Sequence, residues 1–272
     1  MDFILKNDLE IAQFKNLSGF PELFHGVTTR AGGVSAGPCS SLNLGNAHAT
    51  GDSEAHVQAN YQLLSRSLDF DLQTVVSSHQ VHGTDLAIIN ESPLRSSPFP
   101  AAHVLDGYDG FITAVPGIPL MVRVADCVPV MLYEPDRKVL AVVHAGWKGT
   151  AGGISAKAAA HMVAHCQCDI KKIRAGIGPS IGPCCYEVRQ DVAECFSKAT
   201  GNTRFLMPEA AENAFSLDLQ EANRQQLLEA GLEPGLIELS WLCTACNSNL
   251  FFSHRGEKGK TGRFALIAGL RC

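Results

Sequence analysis

The stretch VRVADCVPVMLYEPDRKVLAVVHAGWKG, Val122 to Gly149, sets two apolar runs on either side of a short polar break and holds one cysteine and one histidine within them. VPVMLY and KVLAVV flank EPDR. Proline there presets φ for a turn and aspartate bonds back to its own backbone. The runs therefore read as an antiparallel hairpin of core strands. Reflection about the Pro135-Asp136 midpoint sets Cys127 directly against His144, with Cβ atoms roughly 4.5–5.5 Å apart on one face of a sheet. That spacing suits two ligands of one Zn²⁺, whose bonds are about 2.3 Å to sulfur and about 2.0 Å to nitrogen.

A lone cysteine in an apolar run is ordinarily a small buried hydrophobe, and a lone histidine a core imidazole bonded to backbone. The facing pair, followed by Gly146-Trp147-Lys148-Gly149 and Gly152-Gly153, turns the reading toward a site. Glycines there let backbone approach a ligand, and a helix starting near Ile154 would aim its N-terminus at an anion. SSHQVHGTDL (77–86) offers a third ligand. His79 and His82 point to opposite faces if both lie on a strand, and His82, beside Gly83 at the strand's end, is the freer to reach a metal. A Cys/His/His set leaves one tetrahedral position open, the pattern of catalytic zinc. Asp126 and Asp85 are expected to steer the ligand imidazoles from behind.

Outward from the hairpin, β-rich runs recur as LFHGVTT, TVVSSHQV, LAIIN, GFITAV, PLMVRVA, IRAGIG, LIELSW and RFALIAGL. Helical faces run through Val57, Tyr61, Leu64 and Leu68 after an Asp52 cap, through Val188, Val192, Cys195 and Ala199, and through Leu219, Ala222 and Leu227 after Asp218. ISAKAAAHMVAHC (154–166) is a fourth helix. About ten strands and four helices without strict alternation predict an α+β fold with mixed or antiparallel sheets. ESPLRSSPFPAAH (91–103) reads as a surface loop, so the expectation is one domain over 1–272.

The chain has 272 residues and a net charge of −5, which offers no general attraction to nucleic acid or an acidic membrane, so any anion site has to be local. Charges interrupt the N-terminal MDFILKNDLEIAQF, and no stretch approaches the ~18 apolar residues of a span. The expected location is the cytoplasm. Ten cysteines in so long a chain do not make a secreted disulfide framework. Cys184-Cys185 with Cys243-x-x-Cys246 is a candidate second metal site, but adjacent cysteines make awkward joint ligands, and buried free thiols are the preferred reading.

ADCVPV, VVHAGWKG, QVHG, IGPSIGPCCYEV, CTACNSNLFFSHRGEKGKTGR and TTRAGGVSAGPCSSLNLG together resemble the purine nucleoside phosphorylase family first named multicopper polyphenol oxidases or laccase-domain proteins, also called peptidoglycan editing factors. The likeness runs from about Gly26 to Leu270. It implies a sandwich of mixed β-sheets with flanking helices, akin to the catalytic domain of the cytotoxic necrotizing factors, and one zinc held by His82, Cys127 and His144. The implied activity is phosphorolysis of adenosine, inosine and methylthioadenosine, with adenosine deamination beside it. Purine nucleoside and phosphate are then the partners. Where the family usually places Asn-Arg in its first long helix, this chain has Asn60-Tyr61, which takes a fixed positive charge out of the expected pocket.

Arg30, Arg255 and Arg263 are the candidate anion ligands, the last two in the basic run FSHRGEKGKTGR, and Asn43 is a candidate contact to base or ribose. Three rival readings use the same residues. Copper-dependent polyphenol oxidation needs a histidine-rich trinuclear group, and the sequence has no His-x-His pair. A metal-free hydrolase would use Cys127 as nucleophile and His144 as its base. Editing of cell-wall precursors is a different physiological use of the same site.

Overall fold

The computed structural model describes residues 1–91, 103–200 and 203–272. The loop expected at 91–103 falls on 92–102, outside the described residues.

The Val122–Gly149 hairpin forms as strands Val128–Glu134 and Val139–Ala145 at the centre of a six-stranded sheet. Its register differs from the reflected one by two residues. His144 pairs with Pro129 and Ala145 with Val128, because the turn takes in Arg137 and Lys138 as well as Pro135-Asp136. Glu134 causes this: its carboxylate accepts the N–H groups of Asp136 (3.3 Å) and Arg137 (2.7 Å), and Lys138 closes the turn at φ 53°. Cys127 thus lies just before its strand rather than directly across from His144. A slip of two keeps the side-chain face, since strand side chains alternate with period two.

Across this sheet the order is Ile237–Leu239, Arg174–Ile177, the two hairpin strands, Gly110–Thr113 and Leu86–Ile89. A seven-stranded sheet runs Asp2–Lys6, Leu9–Gln13, Leu23–Thr28, Phe264–Leu270, Leu120–Val124, Val76–His79 and His103–Asp106. Both sheets contain parallel and antiparallel pairs. A third sheet joins Glu187–Arg189, Ala214–Leu217 and Leu206–Pro208.

Alternation along each strand builds the layers. Met131, Tyr133, Leu140 and Val142 face Val122, Val124, Phe264 and Leu266 of the larger sheet. The alternate residues of the hairpin, Val130, Leu132, Ala141 and Val143, pack with Ile154, Ala158 and Met162 of helix Ile154–Cys166 and with Leu219, Ala222 and Leu227 of helix Leu219–Glu229. The outer face of the larger sheet, through Met121, Ala265 and Ile267, takes Val57, Tyr61 and Leu64 of helix Glu54–Leu68. The molecule is therefore α+β, two mixed sheets face to face with helices outside. The central hairpin is apolar on both faces because both are buried, each full-sized side chain contributing about 1.5–3 kcal/mol.

Some elements depart from the sequence reading. The N-terminal segment is a hairpin, turned at Asn7-Asp8 with φ of 45° and 68°. Val188 lies on a strand, and its helix begins at Gln190. The cap of helix Glu54–Leu68 is Ser53, while Asp52 bonds Ser35 and Asn43. Asp218 caps its helix as expected, accepting from Glu221 N–H at 3.0 Å.

One buried titratable group follows from strand Leu23–Thr28. His25 is 1% exposed, and its Nε2 accepts the Phe14 N–H at 2.9 Å. Burial outweighs its partners and lowers its pKa to about 4. The unfolded chain therefore binds the extra proton first. Stability from this group is full above the ordinary imidazole pKa of about 6.5 and is lost as pH falls toward 4, up to about 3 kcal/mol. Urea midpoints measured between pH 7 and 4.5 should fall accordingly, and His25→Gln, which offers an oxygen to the same N–H, should flatten that part of the curve.

Candidate active site

Cys127 ends the segment Ala125-Asp126-Cys127 that leaves strand Leu120–Val124 and enters the hairpin, with Asp126 at φ 91°. His144 is 2% exposed on the hairpin's return strand, on the face that meets the second sheet. His82 follows strand Val76–His79 and takes the left-handed conformation at φ 61°. His82, Cys127 and His144 each offer a ligand atom, all within 4.8 Å of one another. The two imidazoles meet edge to face, with centroids 4.8 Å apart. A Cβ at position 146 would lie 2.9 Å from the His82 ring and 3.1 Å from Cys127 Sγ, so Gly146 keeps the space between these ligands clear.

The residue that organises this group is Asp109, which sequence reading missed. Its fully buried carboxylate accepts His144 Nδ1–H at 2.7 Å and the backbone N–H groups of His82 (3.0 Å), Gly83 (2.7 Å) and Val81 (3.3 Å). Its carbonyl accepts the His144 N–H at 2.7 Å. With Nδ1–H committed to a carboxylate, His144 presents Nε2 to Cys127 or to a metal. Burial opposes ionisation of Asp109, but His144 and these N–H donors outweigh it and hold its pKa below the usual range. Burial also opposes the Cys127 thiolate, and the charge and hydrogen bonds of His144 and His82 overcome it, bringing the thiol down to about 6. By the same pairing, and against burial, His144 is pushed up to about 9.

Neither aspartate expected behind the imidazoles stands there. Asp126 accepts from Thr244 Oγ (2.6 Å), Ser253 Oγ (2.7 Å) and Arg255 N–H (2.6 Å), joining the cysteine's segment to the CTAC and FSHR turns. Asp85 contributes a backbone carbonyl to Asp109 N–H. His79 is occupied by Asp106 at 2.7 Å.

His82, Cys127 and His144 open on a cavity of about 980 Å³, lined also by Arg123, Arg255, Arg263, Trp147, Tyr186 and His254. Arg123 donates to the Ser78 carbonyl at 2.6 Å, while the Gln80 side chain bonds its backbone N–H and carbonyl, each at 2.9 Å. Arg255 lies over the Tyr186 ring at 5.3 Å. Arg263 donates to the Thr261 and Gly262 carbonyls, and burial lowers its pKa. Arg30 is outside the cavity lining: it bonds the Ser40 and Ser248 carbonyls and Glu257, and stacks on Phe252 at 4.5 Å. Asn43 is fully buried and accepts the N–H groups of Gly45 and Arg263, both at 2.9 Å. Its link to the cavity is the Arg263 backbone. Tyr61 is also buried, donating to the Leu44 carbonyl at 2.8 Å. Its helix thus brings no positive charge to the cavity at position 61, and the arginines in the lining come from other segments, Arg123 from strand Leu120–Val124. The N-terminus of helix Ile154–Cys166 is not in the lining, because the short helix Trp147–Ala151 intervenes.

The model of the multi-copper polyphenol oxidoreductase laccase family matches residues 24–271. The chain belongs to that family. Among its laccase-family relatives, the purine nucleoside phosphorylase YlmD of Geobacillus stearothermophilus is 40% identical over 252 residues, covering 90% of this chain and 89% of that protein. The crystal structure of YlmD from the same organism superposes with a TM-score of 0.89 over 97% of this chain and 96% of that one. A protein named adenosine deaminase RL5, from an unknown prokaryotic organism, is 35% identical over 201 residues, 74% of this chain and 76% of its own length. No helix among the described residues is long and apolar enough to cross a membrane.

Proposed function

We propose that this laccase-family chain is a zinc-dependent purine nucleoside phosphorylase, acting on adenosine, inosine and methylthioadenosine with adenosine deamination beside it. In this reading residues 1–272 work as one domain in the cytoplasm, with the expected kinship to the cytotoxic necrotizing factor catalytic fold. The observation that carries it is the convergence of His82, Cys127 and His144 on a cavity rimmed by three arginines. The relatives named for purine nucleoside phosphorylase and adenosine deaminase activity support it.

The donor set fits zinc. Two imidazoles and a thiolate are its ordinary ligands, three protein ligands leave room for substrate, the thiol is already held toward its anion, and Gly146 leaves the intervening space open. When bound, the ion supplies Lewis acidity. The chain's own residues do the rest. Arg123, Arg255 and Arg263 are placed to bind phosphate and neutralise it. Tyr186 and Trp147 offer aromatic faces to a purine. Asp109 orients the His144 imidazole and holds the backbone turn that carries His82.

One observation favours a second reading. Cys127 near 6 and His144 near 9 make a thiolate–imidazolium pair at neutral pH, the resting state of a Cys-His nucleophile. The copper alternative asks for a trinuclear histidine group. The two metal-capable groups among the described residues are His82/Cys127/His144 and a set of four cysteines.

The test is adenine release from adenosine, with and without phosphate, before and after chelation. The proposal expects release that needs phosphate and is lost on chelation. Phosphate-independent release that survives chelation would overturn it in favour of the nucleophile. A further expected result concerns Arg255, which is exposed and whose loss spares the core. A hydrogen bond to a charged group is worth about 1.5–3 kcal/mol, so Arg255→Ala should raise the KM for phosphate about 10-fold or more with a smaller effect on kcat.

A further inference from the structure

Away from the His/Cys/His group, the fold brings together four cysteines from two distant segments. Cys184 and Cys185 sit in the turn after loop Gly178–Pro183, and Cys243 and Cys246 sit where the chain leaves strand Ile237–Leu239. The segments meet at an isolated parallel bridge between Ser180 and Cys243. Ser180 N–H donates to the Leu242 carbonyl at 3.2 Å, and Thr244 N–H to the Ser180 carbonyl at 2.9 Å. The Sγ atoms of all four lie within 4.8 Å of one another, Cys246 being 3.5 Å from Cys184 and 3.4 Å from Cys185. Buried thiols, the reading from sequence, describe Cys243 but not the group: Cys185 is partly buried, and Cys184 and Cys246 are exposed.

We propose that Cys184, Cys185, Cys243 and Cys246 hold a second zinc ion, a structural one. Four thiolates at about 2.3 Å from one ion, arranged tetrahedrally, stand about 3.8 Å apart. The two Cys246 separations fall a few tenths of an ångström short of that figure, and all four sulfurs lie within 4.8 Å of one another. A disulfide instead requires about 2.05 Å between two sulfurs and leaves the other two unexplained. The Gly182 N–H donates to Cys243 Sγ at 3.2 Å, an amide placed to stabilise a thiolate. Adjacency of Cys184 and Cys185 is not an obstacle, because the turn brings both side chains onto Cys246. With all four positions filled by protein, such an ion has no open site for chemistry.

Its role is to fix one wall of the cavity. Loop 178–186 delivers Ile181 and Tyr186, and the segment after Cys246 delivers His254 and Arg255. Asp126, beside Cys127, is bonded to both sides: its carbonyl accepts Ile181 N–H at 2.9 Å and its carboxylate accepts from Thr244 and Ser253. A zinc ion joining the two segments would hold that wall to the catalytic cysteine's own segment.

The experiment uses full-length protein purified under reducing conditions, with zinc measured by elemental mass spectrometry in wild type and in Cys127→Ser. Wild type should carry about two zinc ions per chain and Cys127→Ser about one. In both proteins the four cysteines should resist N-ethylmaleimide until a mercurial displaces the metal. Adding Cys184→Ser and Cys246→Ser to Cys127→Ser should remove the remaining zinc. About one zinc in wild type and none in Cys127→Ser, with the four thiols freely alkylated, would overturn the proposal and leave the phosphorylase reading intact. So would iron in place of zinc, or an intact mass lowered by two hydrogens per disulfide. About one zinc in both proteins would sustain this site and count against the His82/Cys127/His144 metal.

Discussion

Cys127→Ala is expected to release purine from adenosine and phosphate about 10³-fold more slowly than wild type and to lose the metal of the His/Cys/His group. In the proposed zinc site the thiolate is the one anionic donor, and it is the group that His82 and His144 both address. A Lewis acid at a developing charge supplies several kcal/mol of transition-state stabilisation, and each 1.36 kcal/mol is a factor of ten. Folding should survive the change, since Cys127 is only partly buried at the edge of the inter-sheet core. The measurement is kcat/KM together with zinc content and a urea midpoint on the same sample. An inactive variant beside a wild type indifferent to chelation would assign Cys127 to nucleophilic attack. An active variant would remove the residue from the chemistry altogether.

The second large effect is expected at Asp109. Asp109→Asn keeps the shape but turns an acceptor toward a donor where four N–H groups converge. His144 loses the partner that fixes its tautomer, and the backbone of 81–83 loses the anion it is wrapped around. Replacing such a supporting carboxylate lowers metal affinity or activity about 10- to 100-fold, and breaking a buried charged pair destabilises by about 3–5 kcal/mol. The two readouts separate its roles. A purely structural residue would lower the melting temperature and leave zinc affinity per folded molecule unchanged; Asp109 should alter both.

These two residues also mark how far the sequence could be read. Cys127 and His144 were legible because a thiol and an imidazole inside an apolar hairpin are conspicuous by type. Placing the turn one residue early shifted their pairing by two, yet the face survived because strand side chains repeat every two residues. The layers were legible for the same reason, in runs such as VPVMLY and RFALIAGL that are apolar on both faces. Asp109 was not. It lies in GYDGF with no local motif, and its partners are 26 to 35 residues away. Arg30 and Asn43 show the limit of reading residue type alone: polar residues in a glycine-rich loop suggested a ligand, and in the fold both are engaged within the protein, one with carbonyls and Glu257, the other with a neighbouring loop. The cysteine cluster depends on a bridge between segments about sixty residues apart, which spacing alone does not reveal.

Asp109 ties the turn that bears His82 to the strand that bears His144 through one shared carboxylate. The ligand side of the cavity thereby has no melting point of its own. Warmth that loosens surface loops leaves the imidazoles where they are until the sheets themselves part, so inactivation by heat should track loss of the core rather than run ahead of it.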